Sequence, residues 1–156
     1  MDKSDPPRSF GVFKPVGHTV IAFRTADAME AAVAALLKQS FALADLVRYT
    51  PEEMAAQVQS DLHTASAIAA VGQELNLVKA HGELAHSGCS FLVVHAPDEP
   101  RTTQVDEVLR TCSAVAAQRY GNFIVEEVAA ESQGKAQTFE SPDRGLDLAI
   151  PGKTDR

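Results

Sequence analysis

The stretch "HGELAHSGCSFLVVH", His81 to His95, decides how the chain is read. Its polar half holds two histidines and a glutamate, and its apolar half ends in a third histidine. If Glu83, Cys89 and the histidines converge, this is a reactive site; otherwise it is a helix end followed by a core strand. The spacing favours the second reading. His81 and His86 are five residues apart, about 140° around a helix axis, so they do not grip one ion as an i, i+4 pair does. Glu83 and His86 share a side, as in the Glu-x-x-His element of di-iron bundles, but that chemistry needs a second such element, which the sequence lacks. His86, Ser87 and Gly88 suit a last helical turn, where the dipole favours a cation and glycine closes the helix. Beyond it, Cys89, Phe91, Val93 and His95 alternate onto one strand face. Cys89 then reads as a small core hydrophobe; a thiolate stabilised by His86 or His95 is the competing reading.

Working outward, "HTVIAFR" is a second uncharged run and a buried strand. Thr25 caps a following helix in which Met29, Val33, Leu36 and Leu37 form the apolar stripe, with Asp27 near its positive end. "ALADLVRYT" is a less apolar strand. After "CSFLVVH", Asp98 and Pro100 open another helix, striped by Val105, Val108, Leu109 and Cys112 and closed by Gly121. "NFIVEEV" is the last strand. The order β-α-β, insertion, β-α-β predicts an α+β ferredoxin-like sandwich, with the two uncharged strands central and the strands bearing Asp45, Arg48, Glu126 and Glu127 at the edges.

The insertion covers residues 51–86. Thr50, Pro51 and Glu53 make a capping box at its start. One straight helix there would run roughly 54 Å at about 1.5 Å per residue, across a domain about 30 Å wide. It therefore either breaks near "VGQELN" and folds back as a hairpin, or projects and packs on another subunit. Met54, Val58, Leu62 and Ala65 form one stripe, and Ile68, Val71, Leu75 and Val78 a second, so one stripe is left for a neighbour and a homodimer or higher assembly is expected. A hairpin burying both stripes is the competing solution.

No other constellation signals chemistry. Asp61 and His63 are two apart on a helix and make no dyad. Glu126 and Glu127 point to opposite sheet faces. The chain has no Gly-rich phosphate loop, no Cys-x-x-Cys pair and no nucleophile elbow. No catalytic residue, metal ligand or cofactor is assigned. If an enzyme is hidden here, its metal would lie among His63, Glu74, Glu83 and His86.

With 156 residues the chain suits one domain, taken as residues 18–128, with an arm over 1–17 and a polar tail over 129–156. Within the tail, "GLDLAIPG" is apolar enough to dock on a neighbouring surface. A formal charge of -7 and the lack of a basic cluster argue against nucleic acid and anionic membranes as partners. Two unpaired cysteines fit a reducing compartment, and no signal peptide or membrane-spanning run is seen, so a cytoplasmic protein is expected.

The layout of "HTVIAFRTADAMEAAVAALLKQSFALADLVRY", a helical insert, and "GCSFLVVHAPDEPRTTQVDEVLRTCSAVAAQRYGNFIVEEV" resembles bacterial general stress proteins of the heat-induced and low-temperature-induced type. The likeness spans about residues 18–128. It departs in the insert, which here is alanine-rich rather than a glycine zipper, so membrane association is not implied. It implies a non-enzymatic, stress-associated protein acting by self-association or partner binding, and brings no site residues. A small-ligand-binding regulatory module and a metal-dependent enzyme using the insert's His and Glu are the alternatives.

Overall fold

The computed structural model describes residues 1–9, 12–68, 73–121 and 125–130. In chain order, β1 (Arg8–Ser9) and β2 (Val12–Phe13) form a short ribbon, followed by β3 (His18–Phe23), α1 (Ala26–Lys38), a 3-10 turn (Leu43–Asp45) and β4 (Leu46–Tyr49). Then come α2 (Pro51–Ile68), α3 (Gln73–His86), β5 (Ser90–His95), α4 (Glu99–Leu109), β6 (Ala114–Tyr120) and β7 (Val125–Ala130). The main sheet is antiparallel, in the order β4-β5-β3-β6-β7.

The two uncharged runs pair as expected, with Val20 opposite Val93 and Ile21 opposite Leu92. Their alternate residues enter different cores. Val20, Ala22, Phe91 and Val93 face the layer that holds Met54, Val58, Val78 and Ala85 of α2 and α3. Ile21, Phe23, Leu92 and Val94 face Met29, Val33 and Leu36 of α1 and Val105 and Val108 of α4. A sheet covered on both faces needs strands apolar at every position, which is why these runs carry no charge.

The local start signals act as read. Thr25 Oγ1 accepts the Ala28 amide at 3.1 Å. Thr50 and Glu53 exchange bonds of 2.9 and 3.0 Å at the head of α2. Asp98 Oδ1 accepts the Arg101 amide at 3.0 Å. Gly88 closes α3 at φ +97°, a left-handed conformation that a side chain would strain.

Several expectations are corrected. The ferredoxin-like sheet of four strands is replaced by one of five, so the strand order differs from the one expected. The extra member is β6, whose "AVAAQRY" falls within the helix expected to end at Gly121; α4 stops at Leu109. Alanine suggested helix, but tertiary pairing overrides that weak propensity. The strand period was also hidden: the β6–β3 register shifts between Ala22 and Phe23, and the β6–β7 register between Ala117 and Gln118. Such bulges break simple alternation. Cys112 consequently sits in a turn, half-buried, instead of on a helix stripe. Leu37 is 39% exposed, outside the buried stripe of α1.

The insertion is a hairpin. α2 and α3 fold back on each other and supply the third layer, so the projecting helix is excluded. The Ile68 side chain and Val71 of the second stripe, and "GLDLAIPG", lie outside what the structure describes. The N-terminal arm is docked: Phe13 is in the core, and Pro6 and Pro15 are buried. No helix among the described residues is long and apolar enough to cross a membrane.

Candidate functional site

Gly82 brings α3 against Val58 of α2, and beside that contact the hairpin leaves a groove of ≈ 430 Å³. Ala55, Val58, Gln59 and Leu62 of α2 line one wall, and Lys79, Gly82, Glu83 and His86 the other. The helical repeat explains the grouping, because Lys79, Glu83 and His86 are i, i+4 and i+7 on one face of α3. His86 Nδ1 donates to the Gly82 carbonyl at 2.7 Å, which leaves Nε2 as the acceptor of the neutral ring. The result is a mostly apolar channel whose rim carries one lysine, one glutamate and one histidine. It can hold an apolar side chain or ligand body and orient it by charge.

His81, from the same stretch, takes no part in this groove. It is 2% exposed, packs edge-on to Phe91 at 5.6 Å and donates from Nε2 to Gln118 Oε1 at 3.1 Å. Gln118 Nε2 in turn donates to Glu127 Oε1 at 3.1 Å. Burial holds the His81 pKa below the usual histidine range, so this ring is a neutral link in a buried polar chain. Partial burial raises the Glu127 carboxyl, and its hydrogen bond from Gln118 opposes that shift. Glu126 sits on the other side of β7, 3.5 Å from Arg119, as the alternation requires. Arg119 also pairs with Asp106 of α4.

A histidine pair closes one end of the sheet. His18 and His95 are direct cross-strand partners with ring centroids 4.9 Å apart. His18 Nδ1 donates to the Val16 carbonyl at 3.0 Å, and its buried Nε2 has no partner among the described residues. Desolvation, and to a smaller degree His95, lowers its pKa, while the carbonyl opposes the shift. His95 Nδ1 lies 3.5 Å from Asp45 Oδ1.

The remaining candidates separate. Cys89 is buried just before β5, with the Ser87 hydroxyl 3.7 Å from its sulfur. Asp61 does not pair with His63, which is exposed; it is buried and accepts from the Phe13 amide at 3.0 Å and Gln57 Nε2 at 2.9 Å. The Glu74 side chain lies outside the described residues. Among those described, no three His, Cys, Asp or Glu side chains are grouped to hold a metal ion.

Sequence reasoning missed the burial of Asp61 and His81, although a signal existed. Met54, Val58 and Asp61 follow i, i+4, i+7, and Val78, His81 and Ala85 follow i, i+3, i+7, so each polar residue falls on the stripe facing the sheet. His18 carries no such signal, since the strand pattern marks it only as the first residue of β3.

Comparison with known families, curated proteins and solved structures gave no match.

Proposed function

We propose that this is a non-enzymatic binding protein that acts through self-association, and that the groove on the outer side of the α2–α3 hairpin is its contact with a second copy. The observation that carries this reading is the makeup of the groove: an apolar floor of Ala55, Val58 and Leu62 beneath a rim holding Lys79 and Glu83. In a two-fold pairing the same patch meets itself, so Lys79 of one copy meets Glu83 of the other. That self-complementarity matters in a chain of net charge -7, where two acidic patches would repel. The first four strands of the main sheet in chain order, with helices α1 and α4 as crossovers, support a ferredoxin-like plan extended by a strand. The unpaired thiols of Cys89 and Cys112 support a reducing, cytoplasmic setting. A stress-associated role in a bacterium rests on the layout resemblance alone.

Light scattering on concentrating the protein tests the pairing. A dimer mass is expected, lost in Leu62→Glu and in Lys79→Glu, and recovered in Lys79→Glu with Glu83→Lys, where the charges are exchanged. Circular dichroism checks that each variant is folded. A monomer mass that persists at every concentration overturns the reading.

A further inference from the structure

The opposite face of α2 carries a different site. Asp2, Lys3 and Ser4 of the N-terminal segment, with Tyr49 at the end of β4 and Glu53, Ala56, Gln57 and Ser60 of α2, line an open cleft of ≈ 560 Å³. The Lys3 ammonium sits within it. Nζ is 2.9 Å from the Arg48 carbonyl, 3.0 Å from Glu53 Oε1 and 5.5 Å from the centroid of the Tyr49 ring. A carbonyl, a carboxylate and an aromatic face together make a receptor for a cation with several N–H donors. Each part of this receptor is also held by contacts that do not involve Lys3. The same Glu53 oxygen accepts the Thr50 amide in the capping box. Tyr49 is 1% exposed and stacks edge-on to Phe13 at 6.4 Å. The Arg48 carbonyl belongs to β4, which is paired along its length with β5. The Tyr49 hydroxyl is buried and has no partner among the described residues. Lys3, in contrast, comes from the edge of the molecule, and its contact with Glu53 remains partly open to solvent.

We propose that this cleft is a binding site for a primary alkylammonium group and that Lys3 is its built-in occupant, a plug that an external amine displaces. The ligand is either a free alkyl diamine or the side chain of a lysine in a peptide, since both present an ammonium on a flexible alkyl stem. Without Lys3 the cleft keeps Glu53 and Asp2 and carries no ammonium of its own, so it attracts cations. Gln57 and Ser60 supply polar groups along the stem's path. None of this depends on pairing through the hairpin groove.

The test uses the full chain, with 1,5-diaminopentane and a blocked lysine amide as probes and pentane-1,5-diol as the uncharged control, read by calorimetry or NMR titration. Lys3→Met removes the competing ammonium and keeps its stem, and is expected to tighten amine binding about tenfold, the order of effect of removing a tethered competitor. Glu53→Gln in that background keeps an oxygen for the Thr50 amide, so the melting temperature should hold while amine binding drops to the level of the diol. Whichever probe binds tighter identifies the source of the ammonium, and both results support the site. The proposal is overturned if folded Lys3→Met binds neither amine at millimolar concentration, or binds them no better than the diol. It is also overturned if Glu53→Gln leaves amine binding unchanged.

Discussion

Gly82 and Val58 set how closely the two hairpin helices approach: a Cβ built on Gly82 would stand 3.0 Å from Val58 Cγ1. Glycine costs a helix interior about 1 kcal/mol relative to alanine. Here the cost is offset by a packing distance that no larger residue permits without movement. Gly82→Leu should therefore wedge the hairpin open and destabilise the fold by about 1–3 kcal/mol. A sharper measurement is the double-mutant cycle with Val58→Ala. Once the valine is truncated, Gly82→Ala should gain the helix propensity of alanine and become stabilising, and urea denaturation of the four proteins gives the coupling. Additive effects would show that the two residues do not set the helix approach.

Two buried histidines should make stability fall as the pH drops below neutrality. In His18 and His81 desolvation is the leading cause, and both folded pKa values are lowered. The unfolded chain takes up a proton near the ordinary histidine value of about 6.5, which the native state refuses until the pH is lower. Between those values the unfolded state binds more protons, so stability rises with pH and is lost on acidification. The slope is at most about 1.4 kcal/mol per pH unit for each histidine. Chemical denaturation at about pH 7.5 and about pH 5.5 measures it. His18→Gln should flatten the profile, because it removes one of the two refused protons. An unchanged slope in that variant would remove His18 as a contributor.

What the sequence revealed followed from strength of patterning. β3 and β5 were legible because both faces are buried and the runs from Val20 to Phe23 and from Phe91 to Val94 are unbroken apolar residues. The helix starts were legible because Thr25, Thr50 with Glu53, and Asp98 make local bonds that do not depend on the rest of the fold. β6 was hidden because its alanines favour helix and its bulges erase the period. The hairpin's place on the sheet was open because an amphipathic stripe states that a face is covered and does not say by what. The groove was half legible: Glu83 and His86 were correctly read as sharing a side, but Lys79 and the α2 wall join them only through the fold-back.

The two thiols should differ in accessibility. Cys89 is 1% exposed, whereas Cys112 is half-buried in the turn after α4. Desolvation raises the Cys112 pKa, so at neutral pH little thiolate is present and its reaction is slow. A disulfide reagent should label Cys112 slowly in the native protein, faster as the pH rises, and reach Cys89 only after unfolding. Mass mapping of the first labelled site decides this; labelling of Cys89 first would revive it as a reactive nucleophile.

Asp61 ties the N-terminal arm to the core, since it accepts the buried Phe13 amide while Phe13 packs edge-on to Tyr49 at 6.4 Å and to Tyr120 at 6.3 Å. Asp61→Ala leaves that amide without its acceptor and should cost about 1–3 kcal/mol, the range for an orphaned buried donor. Asp61→Asn keeps an oxygen for Phe13, and its amide can bond a reoriented Gln57. Its effect should depend on pH in a definite direction. Desolvation raises the Asp61 carboxyl in the folded state, while the bonds from Phe13 and Gln57 oppose the shift. Between the unfolded and folded values the native state binds the extra proton, so ionising Asp61 reduces stability as the pH rises through that window. Asparagine carries no charge and escapes this loss. Measured against the wild type, Asp61→Asn should therefore be more favourable at about pH 7 than at about pH 3.5, where the wild-type carboxyl is protonated in the fold. Denaturation at the two pH values, with Asp61→Ala as the reference that loses the bond at both, checks the sign; a variant that is relatively better at the acidic pH would mean the carboxylate is stabilised in place.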